Sequence, residues 1–281
     1  MKKYFFYIII FLCYSCEKVI DINTDYSDER LVIDATVFKK LNEKFATAIV
    51  RVSTTTPFFS DNNTEINNAE VIIKTQKGNV NLNYDTEKKY YSNTIDFSDF
   101  KEDYEISIDY DGQSYFSSEK LIKIPPIESV TFGNRKSLNS DEIELLVTFT
   151  DPKGVGDYYL WKFGPFGIDN KYDYLVSRDL YIDGNQFTFS FFIDKTKYFN
   201  YDEYVNIEIS GLTDEGYNYL NILTAQAGAQ NGRPFSTASS VIKGNIINQT
   251  NPNKYPLGYF RVSEFDYFRL SKEDAPVGFF D

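Results

Sequence analysis

Apolar and polar residues alternate along most of this chain, the period that turns one face of a strand to a core and the other to water. From Leu31 onward, LVIDATVF, FATAIVRVSTT, AEVIIKTQKG, NVNLNYD and YEISIDYDGQSYFSSE follow one another as alternating or β-branched runs. Turn residues separate them at Asp61-Asn62-Asn63, Lys77-Gly78 and Asp111-Gly112. The Asp111-Gly112 pair is the strongest hairpin signal, because a two-residue primed turn needs positive φ at both positions. Short strands at this spacing predict a β-sandwich with its own core over residues 31–124. Ile124-Pro125-Pro126-Ile127 then interrupts the pattern. Two prolines remove two backbone donors and stiffen the chain, which suits a domain boundary.

A second β-rich unit is expected over residues 127–281. Its strand-like runs are ESVTFG, EIELLVTFTD, YYLWKFG, QFTFSFFI, YVNIEISG, SVIKGNIIN and LGYFRVSEFDYFRL. One helical pattern interrupts them, over residues 213–226. Thr213 is a good N-cap, Asp214 and Glu215 complement the positive helix end, and Tyr217, Leu220 and Leu223 recur at helical spacing. Leu220 and Leu223 are expected to pack on a sheet, and Gly228 or Gly232 to end the helix. The fold class is therefore mainly β, with one α-helix in the second unit.

The first sixteen residues break this pattern altogether. Lys2 and Lys3 precede an unbroken apolar run from Tyr4 to Leu12, and small Ser15 stands before Cys16. The run is too short to span a bilayer, which takes about 20 apolar residues, and it reads as the core of an export signal over residues 1–15. A cysteine in this place is the acyl acceptor of a bacterial lipoprotein signal. The usual pattern has Leu three places before the cut, whereas here Cys13 occupies that place and Leu12 the one before it. Residues 16–30, Cys16 followed by EKVIDINTDYSDER, then form a polar tether.

Composition narrows the chemistry. With 42% hydrophobic and 17% aromatic residues, the chain can build a packed core, and its 23 Tyr and 25 Phe favour strands. Both cysteines lie in the signal region, so the remainder has none to cross-link. Histidine is absent, which removes the commonest general base, the Ser-His and Cys-His pairs and the usual zinc ligand. No cofactor is indicated. A formal charge of −12 argues against nucleic acid as a partner, since no basic surplus is available to release counterions.

Few local patterns suggest a site. In Asp151-Pro152-Lys153-Gly154-Val155-Gly156-Asp157, the glycines allow sharp bending and the two carboxylates are hard donors suited to Ca²⁺. A calcium site needs six to eight oxygens, so a plain turn with Asp151 capping amides is the stronger reading. Asp109-Tyr110-Asp111-Gly112 lacks the trailing ligands of a calcium loop and reads as hairpin. Tyr159 and Trp161 share one strand face, opposite Tyr158, and are expected in the core rather than on a sugar-binding platform. Arg233 is either a clamp on the helix's carbonyl end, the preferred reading, or a ligand contact. If the loop holding Arg233 and Phe235 lies beside residues 257–262, it is the expected partner surface, because loops on a rigid scaffold carry binding. A glycosidase needs only two carboxylates, but among 41 acidic residues no local motif singles out a pair.

The ordered series FTDPKGVGDYYLWKF, GLTDEGYNYLNILTAQ, GRPFSTASSVIKGNI and LGYFRVSEF resembles the Bacteroidota lipoprotein family known as domain of unknown function 4249. The opening SCEKVIDI and the LVIDATV strand resemble it too. The resemblance implies an outer-membrane lipoprotein with an N-terminal immunoglobulin-like or carboxypeptidase-regulatory-like sandwich. It also implies work beside a TonB-dependent outer-membrane transporter, with the surface leaflet favoured over the periplasmic one. No catalytic residues are carried over from it. The expected role is an accessory or binding component of nutrient uptake; the alternatives are a glycan hydrolase or a structural or adhesive surface protein.

Overall fold

The computed structural model describes residues 29–56, 64–97, 103–139, 141–154, 156–165, 172–199, 203–229, 242–276 and 279. The expected signal, Cys16, the Asp61-Asn62-Asn63 turn, Arg233 and Phe235 lie outside them.

The fold is mainly β. One eight-stranded sheet forms its backbone, built from β1 (Leu31–Lys40), β2 (Phe45–Thr54), β5 (Asn83–Asp85), β6 (Tyr90–Asp96), β11 (Tyr158–Gly164), β12 (Asp173–Arg178), β14 (Tyr204–Leu212) and β16 (Leu257–Ser271). Its strands lie in the order β12-β11-β14-β16-β1-β2-β6-β5. A five-stranded sheet packs on one half: β3 (Glu70–Thr75), β4 (Gly78–Asn81), β7 (Asp103–Tyr110), β8 (Gln113–Lys120) and the two-residue β15 (Ile247–Asn248). A three-stranded sheet of β9 (Ile127–Phe132), β10 (Glu142–Thr150) and β13 (Gln186–Asp194) packs on the other half.

Period-two burial explains β1, β2, β3, β7 and β8, whereas β11, β14 and β16 bury consecutive residues. In β1, Ile33, Ala35 and Val37 face inward, and Ile106 and Ile108 of β7 meet them from the facing sheet. The Asp111-Gly112 turn closes β7 on β8 with φ of 49° and 68°, the geometry its sequence predicts. In the second half, Tyr159, Trp161 and Phe163 of β11 are buried together, and the Phe163 ring stacks on Phe191 of β13 at 3.9 Å. Trp161 is core, and its indole N–H donates to Ser177 Oγ at 3.1 Å. Strands β6 and β12 have no counterpart in the sequence reading, because YYSNTID and DYLVSR carry too many polar positions to stand out.

The chain divides differently from expectation. The prolines fall just inside the second buried cluster, since Ile124 and Ile127 both belong to it, and the first cluster is completed by Ile246, Phe260 and Val262. Residues 31–124 therefore do not close a core of their own. The reason is β16, whose first part pairs in parallel with β1 over Leu257–Phe265, while its last part pairs with β14 over Phe265–Ser271. The proline break is also fixed to this strand. Ile122 N donates to Val262 O at 3.1 Å, Glu264 N donates to Ile122 O at 2.8 Å, and Ile127 N donates to Asp266 Oδ2 at 3.1 Å.

Among the described residues, two α-helices interrupt the strands. The five-residue α1 (Lys195–Phe199) opens on Asp194, whose carboxylate accepts the Thr196 and Lys197 amides. The longer α2 (Asp214–Ala229) is the expected helix, and Thr213 caps it by accepting the Gly216 amide at 3.1 Å. It runs through Gly228 to Ala229. Its contacts correct the expectation for Leu223, which is 41% exposed, while Leu220 is half-buried. Tyrosines also face the sheet, Tyr217 against Tyr158 and Tyr219 against Tyr259, with ring centroids 5.1 and 5.0 Å apart.

Candidate functional site

The β10–β11 loop, one of the few patterns singled out in the sequence, becomes part of a larger constellation. Thr150 of β10 pairs with Gln186 of β13 in one sheet, and Tyr158 of β11 pairs with Arg178 of β12 in the other. The β10–β11 and β12–β13 connections therefore cross between the sheets at the same end of the sandwich. Asp151 and Asp157 on the first meet Asp179 and Asp183 on the second.

One carboxylate oxygen from each of Asp151, Asp157 and Asp179 lies within 4.8 Å of the other two. Asp151 is 1% exposed and Asp179 is 3% exposed, while Asp157 is half-buried. The Tyr159 hydroxyl donates to Asp151 Oδ1 at 2.7 Å, whereas Asp151 Oδ2 is buried and makes no hydrogen bond. The expected capping role belongs to the other loop. Asp183 Oδ1 accepts the Gly154 amide at 2.7 Å, and Asp179 Oδ2 accepts the Gly156 amide at 3.0 Å. Gly154 and Gly156 sit at φ of 129° and 115°, a backbone region that side-chain-bearing residues rarely enter.

Electrostatics follow from this crowding. Burial pushes the Asp151 carboxyl above the usual range, with Asp179 and Asp183 adding to the shift and the Tyr159 hydroxyl and Gly184 amide opposing it. Asp157 is raised for the same first reason, with Asp151, Asp179 and Asp183 contributing. Burial and the Asp151 contact push Tyr159 far up, so it remains a hydroxyl donor. Among the described residues, none of these four carboxylates forms an ion pair. The donor set is all oxygen, the chemistry that suits a hard cation. Asp179 and Asp183 were absent from the sequence reading. The Asp183-Gly184 turn was the only local sign of them, and pairing with distant strands supplies the rest.

A glycosidic pair was the other chemistry to weigh. A shallow polar depression is lined by Thr47, Asn83, Tyr84, Asp85, Thr86 and Glu87, among others. Asp85 accepts the Glu87 and Lys88 amides there, both at 3.0 Å. These bonds, the Lys88 amide first, hold its carboxyl low, the opposite of what a general acid requires.

A family model described as Domain of unknown function (DUF4249) matches residues 17–268. The chain belongs to that family. The DUF4249 match takes in both halves of the shared sheet and all four clustered aspartates. The crystal structure of a DUF3823 family protein from Bacteroides ovatus is similar at 11% identity, over 65% of this chain and 92% of that one, with a TM-score of 0.25. No match was found among curated proteins.

Proposed function

We propose that this DUF4249 protein is an outer-membrane lipoprotein that serves as an accessory or binding component of a TonB-dependent nutrient-uptake system. The observation that carries the reading is a cysteine, Cys16, directly after an export-signal pattern and close before the first strand, which opens at Leu31. The fifteen residues 16–30 reach at most about 50 Å when fully extended, at roughly 3.4 Å per residue. A body tethered that closely acts on what shares its membrane surface or on what that neighbour transports. The family match supports the reading by beginning at residue 17, directly after the cysteine. A rigid sheet crossing both sandwiches suits a docking body better than a hinge between two independent modules.

Native outer membranes carrying a tagged chain provide the test. Solubilisation in mild detergent, affinity capture and identification of partners should recover a TonB-dependent transporter with the wild type and not with Cys16→Ser. A wild type that carries no acyl chain, or that enriches no transporter over the Cys16→Ser control, overturns the reading.

A further inference from the structure

We infer that Asp151, Asp157 and Asp179 form a calcium-ion site that fastens the β10–β11 loop to the β12–β13 loop. The first support is that their carboxylate oxygens converge within 4.8 Å of one another. The second is independent of the acidity of the cluster. Asp151 Oδ2 is buried without any hydrogen-bond partner, in a side chain only 1% exposed. A buried acceptor left unmade costs the desolvation of that group, and more when charged, so a native protein rarely keeps one without a water or ion to fill it.

Counter-charge is the next question. Lys153 leans its stem on Gly184 between the loops, and Arg178 directly precedes Asp179. Neither forms an ion pair with the cluster. Among the described residues, the other groups facing it are acidic or neutral: Asp183, the Tyr159 hydroxyl and the Gly184 amide. A divalent ion would supply the missing positive charge.

Coordination habit favours calcium over magnesium. Magnesium demands near-ideal octahedral geometry at about 2.0–2.1 Å, whereas calcium binds at about 2.3–2.6 Å in flexible arrangements. Three oxygens within 4.8 Å of one another can share one such ion. Calcium also accepts irregular coordination, as expected where Gly154, Gly156 and Gly184 bend both loops through positive φ. The three carboxylates each offer a converging oxygen, and water completes the shell. The objection from sequence, that only two carboxylates stand in the loop, is answered by Asp179 from the neighbouring connection.

Terbium binding to the full chain tests the proposal, because Tb³⁺ replaces Ca²⁺ at oxygen sites and emits when nearby aromatic rings absorb. Tyr159 is bonded to Asp151, and its ring lies 6.5 Å from Trp161, so both are placed as donors. Wild type should give saturable sensitised emission from one ion per chain, displaced by millimolar Ca²⁺ and far less by Mg²⁺. Calcium should raise the unfolding temperature and a chelator should reverse the rise. Asp157→Asn, at a half-buried position where folding is safe, should weaken Tb³⁺ binding by about tenfold or more through loss of ligand charge. Asp151→Asn should also abolish the calcium effect on unfolding. Absence of saturable emission and of any calcium shift in the wild type overturns the site. So does unchanged terbium affinity in both variants.

Discussion

Lys39 of β1 and Glu264 of β16 stand directly opposite each other in the parallel pair, and their side chains meet at 3.0 Å between Nζ and Oε1. Both are almost completely buried, at 3% and 9% exposure. Lys39 also donates to Glu43 O at 3.1 Å, which anchors the β1–β2 turn. The pair therefore sits where the two sandwiches are joined. Lys39→Met should destabilise the fold by about 3–5 kcal/mol, because Glu264 would remain as a buried charge without its partner. The double variant Lys39→Met/Glu264→Leu should recover most of that loss. Denaturant unfolding of the two variants measures both effects, and equal losses in single and double variants would contradict the account.

Gly258 opens the same β1–β16 pairing. A Cβ built there would lie 1.9 Å from Ile33 O, and its φ is +100°. Gly78 has a comparable φ of +124° but nothing within 4 Å. Gly78→Ala should cost only backbone strain, about 1–3 kcal/mol. Gly258→Ala should cost clearly more, because the obstacle is backbone and cannot swing aside. Thermal unfolding of the two variants side by side separates strain from collision.

Glu119 of β8 gives a pH dependence. Burial raises its carboxyl above the usual range, and the Glu215 and Asp103 charges add to the shift. Asn245 Nδ2 at 2.7 Å and the Tyr259 hydroxyl at 3.2 Å donate to Oε1 and oppose it. The folded state thus holds this proton more tightly than the unfolded chain. Its contribution to stability is complete below the ordinary carboxyl value of about 4.3 and is lost as pH rises through the raised native value. Glu119→Gln keeps an oxygen for both donors and removes the titration. Wild type should therefore lose stability relative to the variant as pH rises above the ordinary carboxyl value of about 4.3. A difference independent of pH, measured by denaturant unfolding at several pH values, would rule this out.

Anchoring is testable by fractionation. Acyl chains on Cys16 would supply about 0.8 kcal/mol for each buried methylene, and two or more chains give stable attachment. Cys16→Ser should move the protein from the membrane pellet to the soluble fraction. Retention of that variant in the pellet would mean that a protein surface, and not lipid, holds it there.

Much of the fold was legible because strand and turn signals are local. Alternation in LVIDATVF and YYLWKF determined which side chains face inward, and Asp111-Gly112 determined a hairpin. Thr213 marked its helix start, since a hydroxyl N-cap acts within one turn. The missing histidine bounded the available chemistry before any contact was known. Period two names a face, however, and does not name a partner strand. Only the tertiary structure decided that β16 serves both sandwiches, because fifteen residues in one strand can pair with β1 along one stretch and β14 along another. It likewise decided that Tyr217 and Tyr219 meet sheet tyrosines from α2 while Leu223 is exposed. The meeting of Asp151 and Asp157 with Asp179 depended on two separate strand registers bringing two connections to one end. No local spacing encodes that relationship, since it exists only once both sheets have formed.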